Sequence, residues 1–150
     1  RPYDGSSSGL IVSPENARMQ LETFLRRASR ELLIYDSKLT DKRIHQVLNE
    51  RAKAGVEIRV IGHAGEGSGI PSRGLDSNRL HLRAIVRDGN AAFVGSQSLR
   101  KVELDERREV GISVREPSVV QRIRETFESD WPVHASRSSM HGVQRVNLWR

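Results

Sequence analysis

Leu32, Leu33, Ile34 and Tyr35 stand together between Glu31 and Asp36. A compact apolar run of this length predicts a strand covered on both faces. Leu10–Ser13 reads as a shorter strand. After it, Pro14 and Glu15 open a predicted helix to about Ser29, with Met19, Leu21, Phe24, Leu25 and Ala28 on its buried side. Thr40 or Asp41 caps a second helix through Ala54, where Ile44, Val47, Leu48 and Arg51 recur at helical spacing and Gly55 ends the run. Val56, Ile58 and Val60 alternate with Glu57 and Arg59 and predict a third strand over 56–61. Residues 63–78 are rich in glycine and proline and read as a long loop, a length that compact domains keep for function or mobility. Another strand is predicted over 107–114. Pro117 then starts a last amphipathic helix with Val119, Val120, Ile123, Phe127 and Trp131 on one side.

The order is strand, helix, strand, helix, strand, then a hairpin, another strand and a final helix. It predicts an α/β fold with a mixed sheet sandwiched between helices. The expected organisation is a Ser/Gly-rich flexible segment over 1–9, one domain over 10–132, and a tail over 133–150 without a readable pattern. No internal repeat is visible.

The hairpin carries the chemistry. Asp88-Gly89-Asn90 is a strong turn signal. Pairing 80–87 with 91–99 across a two-residue loop at Gly89-Asn90 sets His81 opposite Ser98 and Arg83 opposite Ser96. Strand alternation then gathers these four side chains on one face, with Leu82, Ala84 and Val86 on the other. An imidazole, a guanidinium and two hydroxyls suit attack on a phosphodiester: a nucleophile or proton carrier, a fixed positive charge, and neutral donors for phosphoryl oxygens. An unpaired arginine is costly to bury, so Arg83 is expected to face a polar cleft or an anion. The alternative is a structural histidine beside solvated charges.

The remaining residues narrow the classes. Net charge is +6, with lysine only at 38, 42, 53 and 101, and this balance favours phosphate-bearing partners such as nucleic acid or anionic lipid. The bland alternative is a generally arginine-rich composition. There are no cysteines, which removes disulfides and thiolate metal sites, and no His or acidic spacing suggests a metal centre. No apolar run is long enough to span a bilayer. The chain begins at Arg1, so a piece of a longer protein or a processed product is expected, and the compartment stays open, with a bacterial-type cytoplasmic or membrane-peripheral location as the default. Glycines at 65, 67 and 69 do not lead into a helix and make a weak phosphate loop. Glu103, Asp105 and Glu106 read as solvated.

His81-x-Arg83-x4-Asp88-x6-Gly95-Ser96-x-Ser98 resembles the H-x-K-x4-D-x6-G-S-x-N motif of the phospholipase D superfamily, with Arg83 in place of the lysine and Ser98 in place of the asparagine. The resemblance implies one half of the phospholipase D fold over roughly residues 8–132. It assigns His81, Arg83 and Glu109 to catalysis, the last orienting the histidine, and Arg83, Ser96 and Ser98 to phosphate binding. Asp88 and Gly95 are structural members, Asp88 at the hairpin corner in an Asx-type turn. The alternative for Glu109 is a surface pair with Arg107 or Arg108.

The resemblance further implies metal-independent chemistry, without a cofactor, through a phosphohistidine. Two motifs are needed, so a second half-domain or a homodimer partner is expected. The first functional reading is a phosphodiesterase or phosphatidyltransferase domain acting on phospholipid head groups, with peripheral membrane contact. The alternatives are a nuclease of the same superfamily, binding nucleic acid, or a non-catalytic partner half that only binds phosphate.

Overall fold

The computed structural model describes residues 9–74 and 80–139, and the side chains of these except 132–139. The expected flexible segment, save Gly9, and the end of the tail lie outside the described residues. In chain order the elements are β1 (Leu10–Ser13), α1 (Ala17–Arg26), β2 (Glu31–Asp36), α2 (Lys42–Lys53), β3 (Glu57–Gly62), β4 (Ser72–Arg73), β5 (Ala84–Arg87), β6 (Ala91–Gly95), α3 (Lys101–Asp105), β7 (Glu109–Val114) and α4 (Pro117–Ser139).

The strands form one seven-stranded sheet in the order β1-β7-β6-β5-β2-β3-β4. β2, β3 and β4 run parallel, and every other neighbouring pair is antiparallel. Helices cover both faces. On one, Leu21 and Leu25 of α1 and Ile44 and Leu48 of α2 pack on Leu32, Ile34, Ile58, Val60, Ile85 and Phe93. On the other, Val120 and Phe127 of α4 pack on Leu33, Tyr35, Ile61, Val86 and Ala92. The Tyr35 ring meets Phe127 edge-on at 5.2 Å, and its hydroxyl donates to Asp130 Oδ2 at 2.6 Å, which fixes α4 across the sheet. The mixed sheet between helices is the architecture the sequence predicts.

Several local expectations are corrected. α1 starts at Ala17 and stops at Arg26, short of Ser29, because the backbone N–H groups of Ser29, Arg30 and Glu31 turn to the Asp88 carboxylate instead of continuing the helix. Met19 is 63% exposed. The buried positions 17, 21, 24, 25 and 28 follow the helical period from Ala17, and a residue two further on points about 200° away. Val119 is likewise exposed at the start of α4, where Val120 occupies the core stripe. The predicted loop after β3 contains β4, a two-residue strand paired with Val60 and Ile61. α4 continues beyond 132 to Ser139. Among the described residues, no helix is long and apolar enough to cross a membrane.

Candidate active site

The hairpin exists, one residue out of the expected register. Arg87 pairs with Ala91 and Ala84 with Val94, so Asp88-Gly89-Asn90 forms a three-residue corner. The cause is Asp88. It takes a positive φ of 53° beside Gly89 at 68°, its N–H donates to the Glu31 carbonyl of β2 at 3.0 Å, and its carboxylate collects the N–H groups of Ser29, Arg30 and Glu31 at 2.7–3.0 Å. Aspartate tolerates this left-handed backbone better than most residues. Its carboxylate ties the hairpin corner to the start of β2 instead of closing a local Asx turn.

With the register moved, the Gly95 N–H donates to the Arg83 carbonyl at 3.1 Å, and Ser96 no longer stands opposite Arg83. Ser96 is exposed, and its hydroxyl lies 3.1 Å from the Val110 nitrogen and 3.2 Å from its carbonyl, bridging β6 to β7. β5 also begins only at Ala84 and β6 ends at Gly95, so residues 80–83 and 96–99 form loops at the sheet rim. Leu82 is 39% exposed there and does not fill the opposite face.

Arg83 and Ser98 do meet. Arg83 Nε donates to Ser98 Oγ at 2.8 Å, and one terminal nitrogen donates to the Leu80 carbonyl at 3.3 Å. The second terminal nitrogen has no partner among the described residues. Ser98 is fully buried and fixed from behind, its N–H donating to Glu103 Oε1 at 3.3 Å while Arg100 Nε donates to Glu103 Oε2 at 2.9 Å. Glu103 is therefore buried, against the expectation of a solvated side chain, because the short helix α3 turns it inward. Asp105 pairs with Arg18 at 2.7 Å.

Beneath Arg83 lies Asp36, at the C-terminal end of β2 and 1% exposed. Its oxygens accept the N–H groups of Leu99 and Lys38, each at 2.7 Å. Burial pushes its pKa up, against the opposing pull of these N–H groups, the Ser98 hydroxyl and the Arg83 charge. The sequence reading missed Asp36 as a site residue. Its signal was an acid closing an otherwise apolar strand, since burying a carboxylate is costly without dedicated partners.

His81 is exposed on the same rim segment, two residues before Arg83, and makes no hydrogen bond among the described residues. Glu109, at the start of β7, lies with Oε1 3.5 Å from Arg107 Nε, the pair held open as its alternative, and makes no hydrogen bond or ion pair with His81 among the described residues. Gly95 has a packing reason. A Cβ there would meet Gln97 Oε1 at 2.6 Å, the Gly111 Cα at 2.7 Å and the Phe93 ring at 2.8 Å. The structure thus brings together Arg83, Ser98 and Asp36, with His81 two residues from Arg83 on the same rim segment, and turns Ser96 and Glu109 to other partners. The other histidines whose side chains are described are engaged elsewhere: His45 Nε2 lies 2.8 Å from the Leu39 carbonyl, and His63 Nδ1 accepts the Gly65 N–H at 3.0 Å. Among the described residues no acidic, histidine or cysteine group is arranged to hold a metal ion.

Residues 63–131 match the family model described as cardiolipin synthase, phospholipase D-like domain. A search of curated protein sequences returns no match. Among solved structures, the phospholipase D family member Nuc from Salmonella typhimurium is similar with a TM-score of 0.74 at 23% identity, over 84% of this chain and 94% of that one. NucT from Helicobacter pylori matches with a TM-score of 0.73 at 14% identity, over 84% and 96% of the two chains. Phosphatidylserine synthase from Haemophilus influenzae Rd KW20 matches at 0.62 and 10% identity, over 80% of this chain and 36% of that one. At these identities the structural likeness carries the fold.

Proposed function

We propose that the chain is a phospholipase D superfamily member that supplies one half of a phosphodiester-cleaving or phosphodiester-transferring site, with His81 as nucleophile and Arg83 as phosphate clamp. The family-model match over residues 63–131 and the shared fold support this reading. The observation that carries this reading is the anchoring of Arg83. Ser98 holds one edge of the guanidinium while a second terminal nitrogen has no partner among the described residues, and the exposed His81 stands two residues earlier on the same rim segment. An oriented guanidinium binds phosphoryl oxygens strongly and loses little freedom on doing so.

In the proposed reaction an imidazole nitrogen of His81 attacks phosphorus and the bond to the leaving oxygen breaks. A second imidazole, from a further copy of the chain or another half-domain, protonates that leaving group. Water or an alcohol then attacks the phosphohistidine and frees the histidine. Phospholipid head groups are the first substrate class, supported by the description of the matching family model. Net charge +6 and the near full-length likeness to Nuc favour nucleic acid as a second reading.

The test is turnover of a short-chain phospholipid and of an oligonucleotide, by the wild type and by His81→Ala. Loss of turnover in the variant is expected, and full turnover would overturn the reading in favour of a phosphate-binding scaffold. Head-group release that is nearly flat with salt supports the lipid reading, whereas turnover of nucleic acid falling steeply with salt transfers the site to the second.

A further inference from the structure

Arg87, at the far end of β5 from the candidate site, is a buried cation without a carboxylate partner. It is 7% exposed. One terminal nitrogen donates to the Phe24 carbonyl at 3.0 Å, and the guanidinium carbon lies 4.4 Å from the centre of the Phe24 ring. Its other nitrogens have no partner among the described residues. The nearest acid in sequence, Asp88, is committed to the N–H groups of Ser29, Arg30 and Glu31.

A cleft of about 120 Å³ opens beside Arg87, lined also by Thr23, Arg27, Ser113 and Arg115. Arg27 and Arg115 are exposed, and neither forms an ion pair among the described residues. Burial lowers the Arg87 pKa, and the charges of Arg115 and Arg27 lower it further against the opposing pull of Asp88. Three cations converge here with no carboxylate in ion-pair contact among the described residues, and the one acid whose charge reaches Arg87, Asp88, is held by backbone N–H groups. Such an arrangement is costly near a desolvated site unless an anion enters.

We infer that this cleft is a second anion site, taking a small phosphate-bearing ligand between Arg87, Arg27 and Arg115, with the Thr23 hydroxyl as a further donor. Its volume is roughly that of four water molecules, which suits a tetrahedral anion. The site is separate from the His81 rim. Arg83 and Arg87 stand four strand positions apart, about 13 Å at the usual rise. The inference does not depend on the catalytic reading.

Calorimetric titration with inorganic phosphate at constant ionic strength tests it, using the full chain in an Arg83→Gln background so that the rim adds no binding. One binding event is expected. Arg115→Gln should weaken it on the order of tenfold, the loss of one charge-assisted contact, and Arg27→Gln combined with Arg115→Gln should remove it. Both of these side chains are exposed, so the variants test binding without disturbing the core as Arg87→Gln would. Glycerol 3-phosphate in place of phosphate distinguishes the source: equal affinity points to esterified phosphate, and a strong preference for inorganic phosphate points to the free ion. No binding in the Arg83→Gln background, or the same affinity after both arginine substitutions, would overturn the inference.

Discussion

Asp88 does more for the fold than any other residue of the motif. Burial by itself would raise its pKa, but the N–H groups of Glu31, Ser29 and Arg30 outweigh burial and hold the carboxyl below the ordinary aspartate value. A depressed folded pKa contributes stability that is present above the unfolded pKa of about 3.9 and lost as pH falls through the folded value. Asp88→Ala should therefore cost about 2–4 kcal/mol at pH 7 by leaving several donors unmet, and the gap to wild type in urea unfolding should narrow below about pH 4.

The two departures from the superfamily motif form a pair. Arg83 is longer than lysine and Ser98 smaller than asparagine, and the two touch at 2.8 Å. Ser98 has no exposed surface, so Ser98→Asn alone overfills the site and should cost about 1–3 kcal/mol. Arg83→Lys alone loses the Ser98 contact. Combined, they should recover part of both losses, and a double-mutant cycle on thermal stability and turnover measures that coupling. The motif spacing made His81 and Arg83 legible in the sequence. Asp36 and Glu103 were not: the acid closing an apolar strand marks Asp36 only weakly until the distant Leu99 N–H is seen to meet it, and Glu103 lies on a helix too short to show which side faces inward.

Among the elements, β6 and β7 approach closely because glycine faces glycine. Gly95 pairs with Gly111, and a Cβ on either would meet Gln97 Oε1 and the Phe93 ring at under 3 Å. Gly95→Ala should lower stability by about 1–3 kcal/mol, read as a fall in melting temperature, and Phe93→Leu in the same chain should restore part of it. The strands and the two longer central helices were legible because their apolar periods run for several residues. β4 and α3 were not, since two and five residues are too short for a period to show. The register slipped for a related reason. A turn dipeptide locates a hairpin corner, yet whether the aspartate joins the ladder or leaves it was decided by donors at 29–31, nearly sixty residues away.

On the scale of the whole molecule, the motif supplies one imidazole, while the proposed reaction uses two. Where a second copy provides the other, specific activity should fall on dilution in step with dissociation measured by light scattering, and mixing with excess His81→Ala chain should suppress turnover. The most direct measurement is a rapid quench during turnover of a labelled phosphodiester, followed by mapping of any covalent adduct. The account predicts an alkali-stable, acid-labile phosphoryl group on the peptide carrying His81, absent in His81→Ala. Turnover with the adduct on another residue, or undiminished turnover in His81→Ala, would contradict it.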